Sequence, residues 1–183
     1  QGIKITSIDM EYTTDVRSFN FLKIYVKTAS VIVLGGGLLV LFAWFLNLPI
    51  LKSLLPNGAT MKFNTALCFV LSGSSLLFLQ NERNSPKQKR IGQFIAAIIL
   101  LISLFTLVEY LFGWNLGIDQ FFIRDLETHP NAFPGRMSLV TAICFMFTSV
   151  ALLLIETEVS QYFSLTAIVL SLFAINGYIF THH

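Results

Sequence analysis

Apolar residues in this chain come in long unbroken runs, and five of the runs reach the length of a bilayer crossing. They cover Thr28 to Leu48, Phe63 to Gln80, Ile91 to Phe112, Ser138 to Ile155 and Val159 to Phe180. Roughly 18 or more apolar residues are needed for a helix to span the hydrocarbon core. The 5 prolines (Pro49, Pro56, Pro86, Pro130, Pro134) all fall between the runs, where a missing N–H does least harm to helices that must satisfy their own backbone in lipid. The runs do not alternate, which excludes a membrane β-barrel. The first run is too long, and starts too deep in the chain, to be a cleavable signal peptide. The pattern predicts an all-α polytopic membrane protein of five transmembrane helices. Residues 1–24 form a polar segment before the transmembrane domain, 25–183.

Basic residues set the expected orientation. Arg17, Lys23 and Lys27 precede the first run, and Arg83, Lys87, Lys89 and Arg90 lie between the second and third. The opposite side carries Lys52, Lys62, Arg124 and Arg136. Seven against four places the N-terminus and the basic loop in the cytoplasm. The long loops Asn47 to Met61 and Gly113 to Met137 then face outward, and five crossings leave the C-terminus outside.

The second and fourth runs repeat one another. Met61, Thr65, Ala66, Cys68, Phe69, Leu76 and Leu77 recur 76 residues on as Met137, Thr141, Ala142, Cys144, Phe145, Leu152 and Leu153. The shared M-x-x-x-T-A-[LI]-C-F core marks a duplicated helical hairpin in one orientation, a parallel repeat. The fifth run opens a partial third unit, NGYIF at Asn176 echoing VEYLF at Val108.

Composition agrees with a membrane and narrows the chemistry. Charged residues make up 12% of the chain, against about 25% in soluble domains. A net charge of +2, with scattered basic residues, gives no electrostatic footprint for nucleic acid. Cys68 and Cys144 lie inside apolar runs without metal-ligand spacing, which sets aside zinc and a disulfide scaffold. They read as small packed apolar residues, and Gly35-Gly36-Gly37 as a site of close helix approach. No nucleophile–base pair, carboxylate dyad or metal cluster is legible, and the chain does not read as an enzyme.

The segments MKFNTALCFVLSG, EYLFGWNLGIDQFF and PGRMSLVTAICFMF resemble the N-terminal multi-helix membrane region of bacterial sensor histidine kinases and diguanylate cyclases. The resemblance covers about residues 25 to 180, and G-I-D together with P-G-R-M-S is its most specific part. It implies a sensory or anchoring input module in the bacterial inner membrane, ahead of cytoplasmic PAS, GAF, kinase or GGDEF domains. It also implies a sixth helix opening with M-x-x-x-T-A. It carries no ligand or cofactor, and an accessory subunit of a larger membrane complex is the alternative.

Candidate site residues follow from depth. Glu109 is the one ionisable residue interior to a run, and an intramembrane carboxylate points to function. It lies near the outward end of its helix, level with Arg136, and an ion pair between them is expected. Thr65 and Thr141 begin the two returning helices, whose N-termini favour anions, beneath loops supplying Asn64 and Asp119. The loop from Gly113 adds Asn115, Arg124, Asp125, Glu127, His129 and Asn131. Its aromatics, Trp114, Phe121, Phe122 and Phe133, suit an interfacial belt or a short amphipathic helix. Expected partners are the lipid bilayer, a small ligand at the outward rim, a cytoplasmic output domain or a membrane-complex partner, and a second copy in a homodimer.

Overall fold

The computed structural model describes residues 2–52, 60–80, 85–121, 123 and 133–181. Expectations that rest on Pro56, Arg83, Phe122, Arg124, Asp125, Glu127, His129, Pro130 and Asn131 lie outside them. Among the described residues every regular element is helical: α1 Gly2–Phe45, α2 Pro49–Lys52, α3 Phe63–Leu79, α4 Pro86–Phe112, a 3₁₀ turn Ile118–Gln120, α5 Leu139–Leu153 and α6 Val159–Thr181. Each of the five apolar runs is thus helical.

Helix α1 begins at Gly2, far ahead of the apolar run it contains. No proline interrupts the chain before Pro49, so nothing in the polar segment stops a helix. Hydropathy marks where lipid begins and says nothing about where the helix does. Asn47 ends α1 with φ 53, ahead of Leu48, which the following proline biases away from helix. At α4 the sequence S-P-K-Q closes a capping box: Ser85 Oγ accepts from the Gln88 N–H while the Gln88 side chain accepts from the Ser85 N–H. Pro86 fits the first turn, where its missing N–H has no partner to lose.

Three segments are long and apolar enough to cross a membrane: Phe21–Phe45, Pro86–Phe112 and Val159–Gly177. Helices α3 and α5 are apolar but have 17 and 15 residues, or about 26 and 22 Å at 1.5 Å per residue.

Packing follows chain order. Helix α1 lies on α3, α3 on α4, α4 on α5 and α5 on α6, with a further contact between α3 and α5. The main core joins α3, α4 and α5 through Cys68, Ala96, Ile99, Met137, Ala142 and Phe145. A second cluster of Val40, Trp44, Phe63 and Ala66 joins α1 to α3. Small residues let the backbones meet. A Cβ on Gly37 would stand 2.8 Å from Val70 Cγ2, and one on Gly73 2.8 Å from the Ser30 carbonyl oxygen. Gly35 and Gly36 face open space, so of the glycine triplet only Gly37 serves the close approach. The buried side of α4 is a stripe of Gly92, Ala96, Ile99, Ser103, Thr106 and Glu109. Packing of this kind, with Ser103 and Thr106 bonded back to α4 and Ser75 Oγ donating across from α3 to the Gly92 carbonyl at 2.8 Å, holds bundles together in lipid, where apolar burial adds little.

Both hairpins close on the methionine that opens the returning helix. Trp44 Nε1 donates to the Met61 carbonyl at 2.9 Å, and the Tyr110 hydroxyl donates to the Met137 carbonyl at 3.0 Å. A cation lies over each ring: the Lys52 amino group 4.3 Å from the Trp44 centroid, and the Arg136 guanidinium 5.4 Å from that of Tyr110.

Candidate functional site

At the end of the bundle where α4 stops and α3 and α5 start, four polar side chains converge. Glu109 lies on the last turn of α4, Asn64 on the first turn of α3, Asp119 in the 3₁₀ turn and Arg136 just ahead of α5. Their exposures are 0% for Glu109, 3% for Asn64, 4% for Asp119 and 5% for Arg136, so bulk water does not neutralise their charges.

The loop after α4 is shaped by glycine. Gly117, with φ 74, turns the chain into the 3₁₀ turn and delivers Asp119 inward. Gly135, with φ 75, lies so close to the Asp119 carbonyl that a Cβ there would be 2.5 Å from the oxygen. Both are left-handed conformations that cost glycine little. The G-I-D and P-G-R segments are therefore two sides of one contact, with Arg136 as the next residue along.

Arg136 is the hub. Its Nε lies 2.9 Å from Asp119 Oδ2 and 3.3 Å from Glu109 Oε2, and its Nη2 donates to the Trp114 carbonyl at 2.9 Å. The guanidinium stacks over Phe133 at 4.0 Å, a face contact a lysine would not reproduce. Asn64 Nδ2 donates to the other Asp119 oxygen at 3.2 Å. The Leu116 N–H donates to Glu109 Oε1 at 2.7 Å, and the Glu109 and Asp119 carboxyl groups converge on one atom, with an oxygen of each within 3.3 Å of Arg136 Nε. Glu109 Oε2 and Arg136 Nη1 are buried without a hydrogen-bond partner. Such atoms are rare and call for an explanation.

Of the six residues singled out from the sequence, the structure thus brings Glu109, Arg136, Asn64 and Asp119 together. Asn64 lies in the first turn of α3, inside the run Phe63 to Gln80 and past the loop that precedes it. Thr65 and Thr141 stay apart from the cluster. They occupy the third position of α3 and of α5, turned away from the neighbouring second position. Thr141 is engaged by Ser138, the actual cap, whose Oγ accepts from the Thr141 N–H and lies 2.7 Å from its hydroxyl. The cap position of α3 is Lys62, whose side chain makes no capping hydrogen bond. Sequence reasoning missed Tyr110, Phe133 and the Trp114 and Leu116 backbone. An aromatic one residue after the intramembrane carboxylate, in E-Y-L-F, was the available signal for Tyr110. Among the described residues of the loop the regular element is the short 3₁₀ turn, with Trp114 and Phe121 exposed.

A cavity of about 150 Å³ lies beside Asn64, walled by Leu67, Ile102, Leu116, Ile118 and Phe121. At the opposite end of the bundle, Lys89 at the start of α4 bridges Glu156 beyond α5 at 2.6 Å. Lys89, by its hydrogen bond and then its charge, holds the Glu156 carboxyl below its ordinary range. No group of three or more metal-ligating side chains occurs among the described residues. No family model matches the chain, and no curated protein or solved structure is similar to it.

Proposed function

We propose that this chain is the membrane-embedded input or anchoring module of a bacterial signal-transduction protein, crossing the inner membrane five times and catalysing nothing itself. The observation that carries the reading is the buried cluster, in which one guanidinium ties α4 and the 3₁₀ turn to the start of α5 while Asp119 reaches α3. The residues of G-I-D and P-G-R, on which the resemblance to sensor proteins rests, are those that build it.

In this reading α3 and α5 cross as well. Met61–Lys62 and Met137–Ser138 lengthen them at one end, and a modest local thinning of the bilayer absorbs the remainder. The cluster then lies at the outward rim, and the Lys89–Glu156 bridge at the cytoplasmic face. A stimulus at the rim acts by favouring one of two packings of α3, α4 and α5, because a signal requires differential affinity for two states. The relative setting of the inner helix ends is the output passed to a cytoplasmic partner.

Spin labels at Lys87 and Glu158, both exposed at the inner ends, report that setting. In lipid vesicles, Asp119→Asn and Arg136→Gln are expected to shift or broaden the distance distribution while helicity is retained. An unchanged distribution in both folded variants would remove the coupling on which the reading depends. It would favour the alternative, a structural or accessory membrane subunit. That alternative draws on α6, which packs mainly on α5 and leaves Tyr162, Leu165, Val169 and Phe173 exposed.

A further inference from the structure

The cluster holds two carboxyl groups and one guanidinium in a place water does not reach, so its charges do not balance if both acids are ionised. Hydrogen bonding says which acid differs. Both oxygens of Asp119 have donors, Arg136 Nε on one and Asn64 Nδ2 on the other. Glu109 has a donor on Oε1 alone, from Leu116. Its Oε2 has none, because the nearest N–H, on Arg136 Nε at 3.3 Å, is already given to Asp119 at 2.9 Å. An oxygen that no donor serves, buried beside a carboxylate, is satisfied when it carries a hydrogen itself.

We propose that Glu109 and Asp119 share one proton, held on Glu109 Oε2 and donated to Asp119, and that the rim cluster is a proton-binding site. With that proton the site is neutral overall: a carboxylic acid, a carboxylate and a guanidinium. Loss of the proton to water leaves two carboxylates on one cation and a net charge of −1. A buried excess charge is costly, and the cluster relieves it by admitting water. The mobile partner in that step is the 3₁₀ turn bearing Asp119, since Glu109 is fixed on α4. External alkalinisation thus unlatches the turn from α3 and α5. A metal cation suits the site poorly, since hard cations take about six oxygen ligands, and among the described residues Glu109 Oε2 is the one carboxylate oxygen of the cluster without a donor.

Among the described residues, few charged and titratable groups face Glu109. The loop contributes Asp119, the approach to α5 contributes Arg136, α4 contributes Tyr110, whose hydroxyl is committed to Met137, and α3 contributes neutral Asn64. Lys62 stands at the start of α3, half-buried. His129, in the same loop of the sequence, is a separate titrating group and calls for a control. The site's part in signalling rests on the function proposed above; its chemistry does not.

The test is pH-difference infrared spectroscopy of the full chain in phosphatidylethanolamine–phosphatidylglycerol vesicles, with potassium and then sodium as the salt. At neutral pH a protonated-carboxyl carbonyl band is expected, slow to shift in deuterated buffer, and it should vanish as the pH is raised. Glu109→Gln should abolish it. Asp119→Asn should abolish it too, because Glu109 then faces Arg136 one to one and ionises. His129→Gln should leave it in place. Both charge-balancing variants are isosteric, and helical circular dichroism identifies a variant that has not folded; either one alone decides the assignment. Three results would overturn the proposal: no such band in the wild type at neutral pH, a band that persists in a folded Glu109→Gln or Asp119→Asn variant, or a band that sodium abolishes at constant pH, which would make this a sodium site.

Discussion

Arg136 and Asp119 meet at 2.9 Å inside the protein, and Gly135, the residue before Arg136, leaves no room for a Cβ beside the Asp119 carbonyl. Side-chain charge and backbone contact therefore fasten the same two segments. Arg136→Ala strands two buried acids and should destabilise the chain by roughly 3–5 kcal/mol, the usual cost of breaking a buried pair. Adding Asp119→Ala should cost less than the sum of the two single changes, because the partners share one interaction. Chemical unfolding in detergent, followed by circular dichroism, measures the cycle. Strict additivity would mean that the pair contributes nothing.

Gly135→Ala tests the backbone half of the same contact. The left-handed conformation costs a residue with a Cβ about 1–2 kcal/mol, and the new methyl overlaps the Asp119 oxygen. The variant should lose at least that much stability and weaken the Asp119–Arg136 bond with it. A folded Gly135→Ala protein of wild-type stability would contradict the geometry.

The glycines of α1 give a matched pair. Gly37→Val drives a side chain into Val70 and the Ala66 carbonyl, whereas Gly36 faces nothing within 4 Å. Overpacking of this kind costs about 1–3 kcal/mol. Gly36→Val should be close to neutral in the same unfolding assay, and equal effects at the two positions would mean that α1 does not pack on α3 through Gly37.

At the end of the bundle opposite the cluster, Lys89 holds the Glu156 carboxyl below its ordinary range. A carboxyl depressed in the folded state contributes stability above its unfolded value, and loses it as pH falls through the folded value. Both side chains are well exposed, 39% and 65%, so the contribution is small and screened by salt. Thermal unfolding between pH 6 and pH 3, stepping about the ordinary carboxylate range, should show an acid loss that is smaller in Glu156→Gln and smaller again at high salt.

The helices were legible because apolar runs in a membrane chain admit few other conformations, and α3 to α6 begin and end near the run boundaries. The start of α1 was not legible, because polar residues without proline continue a helix as readily as apolar ones. Depth along the helices was enough to pair Glu109 with Arg136. The stronger Arg136–Asp119 bond was hidden, since it depends on Gly117 and Gly135 folding a long loop back on itself, and loop closure leaves no periodic trace. Thr65 and Thr141 were misplaced for a rotational reason: they share the depth of the cluster, but one step along a helix turns a side chain by about 100°.

The proposed function depends on the cluster lying at the outer rim of a bundle that crosses five times. Cysteine labelling of intact cells tests that most directly. With Cys68 and Cys144 replaced by alanine, single cysteines at Leu46, Lys87, Asn115 and Glu158 sample the four exposed ends joining successive helices. Five crossings with the basic loop inside expect an impermeant maleimide to label Leu46→Cys and Asn115→Cys. Lys87→Cys and Glu158→Cys should stay protected until the membrane is opened. Labelling that puts Asn115 and Glu158 on the same side would mean that the 15 residues of α5 do not cross, and would contradict the account.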